Sequence, residues 1–266
     1  MSTPQTPKSA LRPTEYLASG GAEVAAPRDT LPQGSPFAPG DLIADRYRLI
    51  RYHRRGFAGS DRHAAPFSIE EQAEDALALL DELGVERAHF IGHSYGAVIA
   101  LQLACETPSA VHSLVLLEPP KTTEELEGLD LLEPVIAKYH SGNAREAAAS
   151  FMALVWGPDW RAEVQRTVPG GPEQAETDAA TYFEFELPAL GAWILDKDKA
   201  SQISQPILYI IGSESGPVFD RPKQAFQSTV TQAEDLVLPG LNHLLHIRNP
   251  RQVAGPIADF LARHPL

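Results

Sequence analysis

The chain has 266 residues, 43% of them hydrophobic, enough for one domain with a sizeable core. Its formal net charge of −13 argues against nucleic acid or an anionic membrane as partner. The single Cys105 cannot close an internal disulfide, and no signal peptide or membrane-length apolar run is read, which predicts a soluble cytoplasmic protein.

Residues 1–40 contain seven prolines and predict an irregular or partly disordered segment, within which 16–24 reads as a small hairpin turning at Gly20-Gly21. Residues 47–53 have a strand composition. The arginines from Arg46 to Arg62 on that strand and its loop are expected to be solvated or ion-paired. Ser68 and Glu71 form a capping-box pattern. Ala73, Ala76, Leu77, Leu80 and Leu83 then recur at helical spacing until Gly84, so 68–83 is predicted to be an amphipathic helix.

A strand-like run at 88–91 and a helix-like run at 97–105 flank Gly92-His93-Ser94-Tyr95-Gly96. This is the setting of a nucleophile elbow, in which a serine sits on a sharp strand-to-helix turn and flanking glycines let the backbone reverse and the helix pack close. The Tyr95 backbone N–H, just after the serine, is the expected oxyanion donor. A hydroxyl is a weak nucleophile at neutral pH and needs a base, which the serine-first order of this motif puts near the C-terminus.

Residues 111–117 predict the next strand, ending at Glu118. Residues 121–204 then break the strand–helix alternation with helix-like pieces at 131–139, 144–156 and 174–185, read as a helical lid with a surplus of acidic residues. Trp156, Trp160, Tyr182, Phe183, Phe185 and Trp193 concentrate there, either packing the lid or walling a pocket for an acyl or aromatic group. Strands are predicted at 206–212 and 234–238. The turn after the second carries His243, and Asn249-Pro250 opens the last helix. His243 is the expected base; His246 is the alternative and otherwise part of the pocket wall. His93 is expected to point away from the reacting atom and to join that wall with Trp156 and Phe183. The remaining histidines are read as structural, and no metal-binding spacing is present.

Taken in order, these segments resemble the α/β-hydrolase family over roughly residues 41–264. Arg54-Arg55-Gly56-Phe57-Ala58-Gly59-Ser60-Asp61 is similar to the family's R-G-x-G-x-S loop, and Gly240-Leu241-Asn242-His243 to its closing G-x-x-H segment. The resemblance implies an α/β fold: a doubly wound, mostly parallel eight-strand sheet, with the core at 41–120 and 205–266 and the lid at 121–204. It also implies serine-dependent hydrolysis without cofactor. Two departures stand out. Ser215 occupies the family's usual acid position, so the acid is expected at Glu118, as in certain branches of the family, with Glu214 and Asp220 as alternatives. The His-Gly pair that donates a second oxyanion N–H is missing, and the segment around Thr30 to Ser35, with Gly34, is the nearest substitute for it and its strand. The expected activity is cleavage of a small carboxylic ester or lactone through an acyl-enzyme, with a small-molecule acyl substrate as partner. The alternative is a weakened hydrolase-fold protein that binds a small molecule without turnover.

Overall fold

Apolar runs too short for helices, bounded by Gly, Pro and polar turns, build the centre of the molecule. The computed structural model describes residues 22–26, 43, 46–58, 60–62, 65–122 and 129–266. Its strands are β1 (Ala22–Ala26), β2 (Arg48–Arg51), β3 (Ala88–His93), β4 (Val111–Leu117), β5 (Ile207–Gly212) and β6 (Glu234–Leu238). They form one sheet in the order β2-β1-β3-β4-β5-β6. β3, β4, β5 and β6 are parallel to one another, while β1 runs antiparallel to both β2 and β3.

Three expectations change here. The sheet has six strands among the described residues, against eight implied by the resemblance. Ala22–Ala26 is a strand held between β2 and β3, which replaces the hairpin read at 16–24; residues 16–21 lie outside the described residues. The slot beside the elbow strand is therefore filled by β1 and not by the segment around Thr30 to Ser35, which also lies outside them.

Side chains alternate across the sheet with period two. Phe90, Leu114, Leu116, Ile207 and Tyr209 enter one core with α1 (Ile69–Glu82) and α2 (Tyr95–Glu106). Ile91, Val115, Leu117, Leu208 and Ile210 enter another with the last helix, α11 (Pro250–Arg263). Helices on both faces explain why β3 and β5 are buried along their whole length. α1 starts as the sequence indicates: Glu71 N–H donates to Ser68 Oγ and Ser68 N–H to Glu71 Oε2. α11 is capped by the Asn249 side chain, which accepts from Gln252 N–H.

Between β4 and β5 lie α3 (Leu129–His140), α4 (Ala144–Trp156), α5 (Trp160–Thr167), α6 (Gly171–Thr177), a π-helical turn (Thr181–Glu186), α7 (Leu187–Ala192) and α8 (Lys197–Ser201). Met152, Trp156, Trp160, Val164, Tyr182 and Phe183 give this insertion its own apolar cluster. Phe57, from the loop after β2, and Leu244 and Ile247, from the loop after β6, join it, so the insertion is packed onto the sheet's functional edge. After β5 come α9 (Pro217–Thr229), β6 and the short α10 (Leu245–Arg248). No helix of the described residues is long and apolar enough to cross a membrane.

Candidate active site

Ser94 stands at φ 53°, ψ −120°, a conformation that strains any residue with a Cβ. The surrounding structure enforces it. Ser94 N–H donates to Leu117 O at 2.8 Å, anchoring the turn to β4. A Cβ on Gly92 would lie within 2.6 Å of Ala97 N, so only glycine lets α2 approach β3 this closely. The Ser94 side chain makes no capping bond to α2 and faces a cavity. As the first residue of α2, Tyr95 has a backbone N–H with no intrahelical acceptor, available to a ligand at the helix N-terminus.

The imidazole and its acid meet at the same edge. His243 Nδ1 lies 2.5 Å from Glu118 Oε2, with both groups buried. Against a carboxylate Nδ1 must carry the proton, which leaves Nε2 as the basic nitrogen. The other carboxylate oxygen, Oε1, accepts from Gly212 N–H at 2.7 Å and from the Ser215 hydroxyl. The residue at the family's usual acid position thus serves the relocated acid as a hydrogen-bond donor. Glu214 and Asp220 are exposed, and neither approaches His243. Glu118 is also held at positive φ, 50°, tied by its own N–H to Ile210 O at 3.1 Å. Phe219 stacks on the imidazole with centroids 4.0 Å apart.

His93 lines the cavity, and its Nε2–H donates to the His243 carbonyl at 3.0 Å, tying elbow to base loop. Burial, with His246 and His243 alongside, holds its pKa well below the ordinary value, so it stays neutral. His246 packs against His93, 4.5 Å between centroids, and burial lowers it to about 3. It is absent from the cavity wall, contrary to expectation. Phe183 is also absent: it stacks on Tyr139 inside the insertion's apolar cluster. Trp156 does line the cavity, and its carbonyl accepts from Asn242 Nδ2, next to His243. Gly34 lies outside the described residues.

The cavity has a volume of about 180 Å³. Leu131, Phe151, Met152, Val155, Leu187 and Val218 make its apolar walls, and Ser94, His243 and the ion pair Arg54–Glu186 interrupt them. Glu186 carried no role in the sequence reading; Arg54, in the arginine run expected to be solvated or ion-paired, is ion-paired. Among the described residues, the one group with ligand atoms close enough to gather a cation is His93, Glu118 and His243, within 4.8 Å of one another. Both Glu118 oxygens and His243 Nδ1 are hydrogen-bonded, to one another and to Gly212 and Ser215, while His93 Nδ1 has no hydrogen-bond partner among the described residues.

Comparison with known proteins agrees with this architecture. The family model described as "alpha/beta hydrolase fold" matches residues 34–250. A protein of Pseudomonas syringae named "Putative carbamate hydrolase RutD" is 38% identical over 84% of this chain and 87% of its own length. Its namesake in Azorhizobium caulinodans is 40% identical, but the chain spans only 29% of that relative's length. Among solved structures, the α/β-hydrolase MGS-M2 from a deep-sea metagenome superposes with a TM-score of 0.70 at 19% identity, covering 85% of this chain and 84% of its own. The enol-lactonase of Burkholderia xenovorans gives 0.68 at 19%, covering 92% and 98%. At these identities the structural likeness is one of fold. The chain belongs to the α/β-hydrolase fold family.

Proposed function

We propose that the protein is a serine hydrolase cleaving a small carboxylic ester or lactone through an acyl-enzyme. Ser94 Oγ attacks the carbonyl carbon while His243 Nε2 takes its proton. The oxyanion that forms accepts from the Tyr95 N–H. As the tetrahedral centre collapses, the C–O bond to the leaving alcohol breaks and His243 returns the proton to that oxygen. Water, deprotonated by the same nitrogen, then releases the acid. Glu118 orients the imidazole and stabilises its cationic form, and Gly212 and Ser215 hold Glu118. The helical insertion serves as the lid. The relatives named as carbamate hydrolases and the neighbour named as an enol-lactonase support a carbonyl attached to oxygen as the reacting group.

The observation that carries this reading is the Glu118–His243 pair opening onto the same apolar cavity as a strained Ser94. Ser94→Ala is expected to leave the fold intact and to lower turnover of an activated ester by roughly 10⁴-fold or more, as for triad deletions. Wild-type turnover in that variant would remove Ser94 from the chemistry.

A further inference from the structure

The polar end of the cavity is an ion pair that the reaction above does not use. Arg54, in the loop after β2, and Glu186, at the end of the π-helical turn, are both buried, and both line the cavity. Arg54 Nε and Nη2 both donate to one carboxylate oxygen, Oε1, at 2.8 and 2.5 Å. Oε2 receives neither bond. The arginine is fixed by its surroundings, with its guanidinium 4.9 Å from the Phe57 ring centroid and 5.0 Å from that of Tyr95. Tyr95 is in turn fixed by Gln72 Nε2, which donates to its hydroxyl at 2.7 Å. The carboxylate is therefore held from behind in one orientation, next to the residue that follows the nucleophile.

The backbone around Glu186 is built for this placement. Pro188 in α7 has no N–H and its ring crowds the carbonyl four residues earlier; a widened π turn before it relieves that crowding. An acceptor oxygen that takes no bond from Arg54, in a residue lining an apolar cavity, favours a ligand that supplies a donor over one that cannot. Among the described residues, Arg54 and Glu186 are the only Asp, Glu, Lys or Arg lining the cavity, and they pair with each other, so this part of the wall calls for neither sign of net charge.

We propose that Glu186 is a specificity-determining residue whose carboxylate accepts a hydrogen bond from an N–H or O–H group on an uncharged substrate, as in the secondary amide of an N-acylated acyl group. This rests on the serine-hydrolase reading for its substrate but not for its binding measurement. Two esters of nearly equal shape serve as probes: phenyl N-propanoylglycinate, which carries the N–H, and phenyl 4-oxohexanoate, which has a methylene in its place. At a pH above 7, where Glu186 is ionised, the wild-type protein is expected to favour the first by about 10- to 100-fold in kcat/KM, the range for a hydrogen bond to a charged acceptor. The same preference is expected in Kd measured by calorimetry on the Ser94→Ala protein, where no turnover intervenes. Glu186→Gln, whose oxygen stays on Arg54 and whose NH₂ then faces the cavity, is expected to abolish or reverse the ratio. Equal Kd values for the two esters on the Ser94→Ala protein would overturn the proposal even if Glu186→Gln fails to fold. A retained Kd preference without any wild-type hydrolysis would uphold it and sink the hydrolase reading instead.

Discussion

Glu118 meets three donors: the Gly212 N–H and the Ser215 hydroxyl at Oε1, and the His243 Nδ1–H at Oε2. A carboxylate accepts all three; a carboxamide has one oxygen. In Glu118→Gln the NH₂ must therefore face either the backbone N–H or the imidazole, and facing the imidazole forces the wrong tautomer. Turnover is expected to fall by about 10³- to 10⁴-fold, as when the acid of such a triad becomes its amide. Ser215→Ala removes one of three hydrogen bonds to the charged carboxylate, about 1.5–3 kcal/mol, and should cost about 10- to 100-fold, less than the amide. Steady-state kinetics on the two variants checks the ranking, and equal effects would mean that the charge on Glu118 does not matter. The pair with His243 was legible in the sequence because Glu118 directly follows one strand-like run, His243 sits in the turn after another, and chemistry needs an acid beside a base. Glu186 was not. It is a single glutamate in an acidic helical stretch, and its partner Arg54 is 132 positions away.

At the scale of elements, β3, β4, β5 and the capped helices α1 and α11 were readable because burial on two faces demands continuous apolar runs and helix ends demand caps, while β6, an edge strand mostly exposed, was readable from its short Leu-Val-Leu run and the Pro-Gly turn that follows. β1 was not readable: its sequence, Ala-Glu-Val-Ala-Ala, is poor in strand formers, and its conformation comes from pairing with β2 and β3. The aromatics of the insertion were only half readable, because periodicity places a residue on a helix but does not say which neighbour its face meets. Trp156 borders the cavity and Phe183 fills the insertion's cluster. Trp156→Ala is accordingly expected to change the ranking of acyl-chain lengths. Phe183→Ala should leave that ranking alone and cost about 3–5 kcal/mol of stability, the usual price of a buried aromatic. An esterase panel and denaturant melts separate the two, and a changed ranking in the Phe183 variant would return that residue to the pocket wall.

For the whole molecule, buried histidines set the response to acid. Burial holds His89 and His246 at about 3, against an ordinary value of 6.5, and pushes His93 well down. The unfolded chain thus binds more protons than the folded one below pH 6.5. The stability these groups protect is full above that pH and is lost progressively as pH falls toward about 3. Glu186 works in the opposite direction: burial raises it from 4.5 to about 7 against the pull of Arg54, so its share is lost as pH rises through that window. His246→Asn is expected to flatten the fall in unfolding free energy between pH 6 and pH 4 by about one proton's worth of slope. An unchanged slope in urea titrations would show that His246 is protonated in the folded state.

The central claim is that Ser94, His243 and Glu118 act together on an acyl carbon bound in the cavity, and a fluorophosphonate tests it most directly because it phosphonylates only a serine that a working base has activated. Intact-mass and peptide spectra of the treated wild-type protein are predicted to show one adduct, on Ser94, with labelling slowed by orders of magnitude in His243→Ala and in Glu118→Gln. An unlabelled Ser94 in folded protein, or equally fast labelling in all three proteins, would contradict the account.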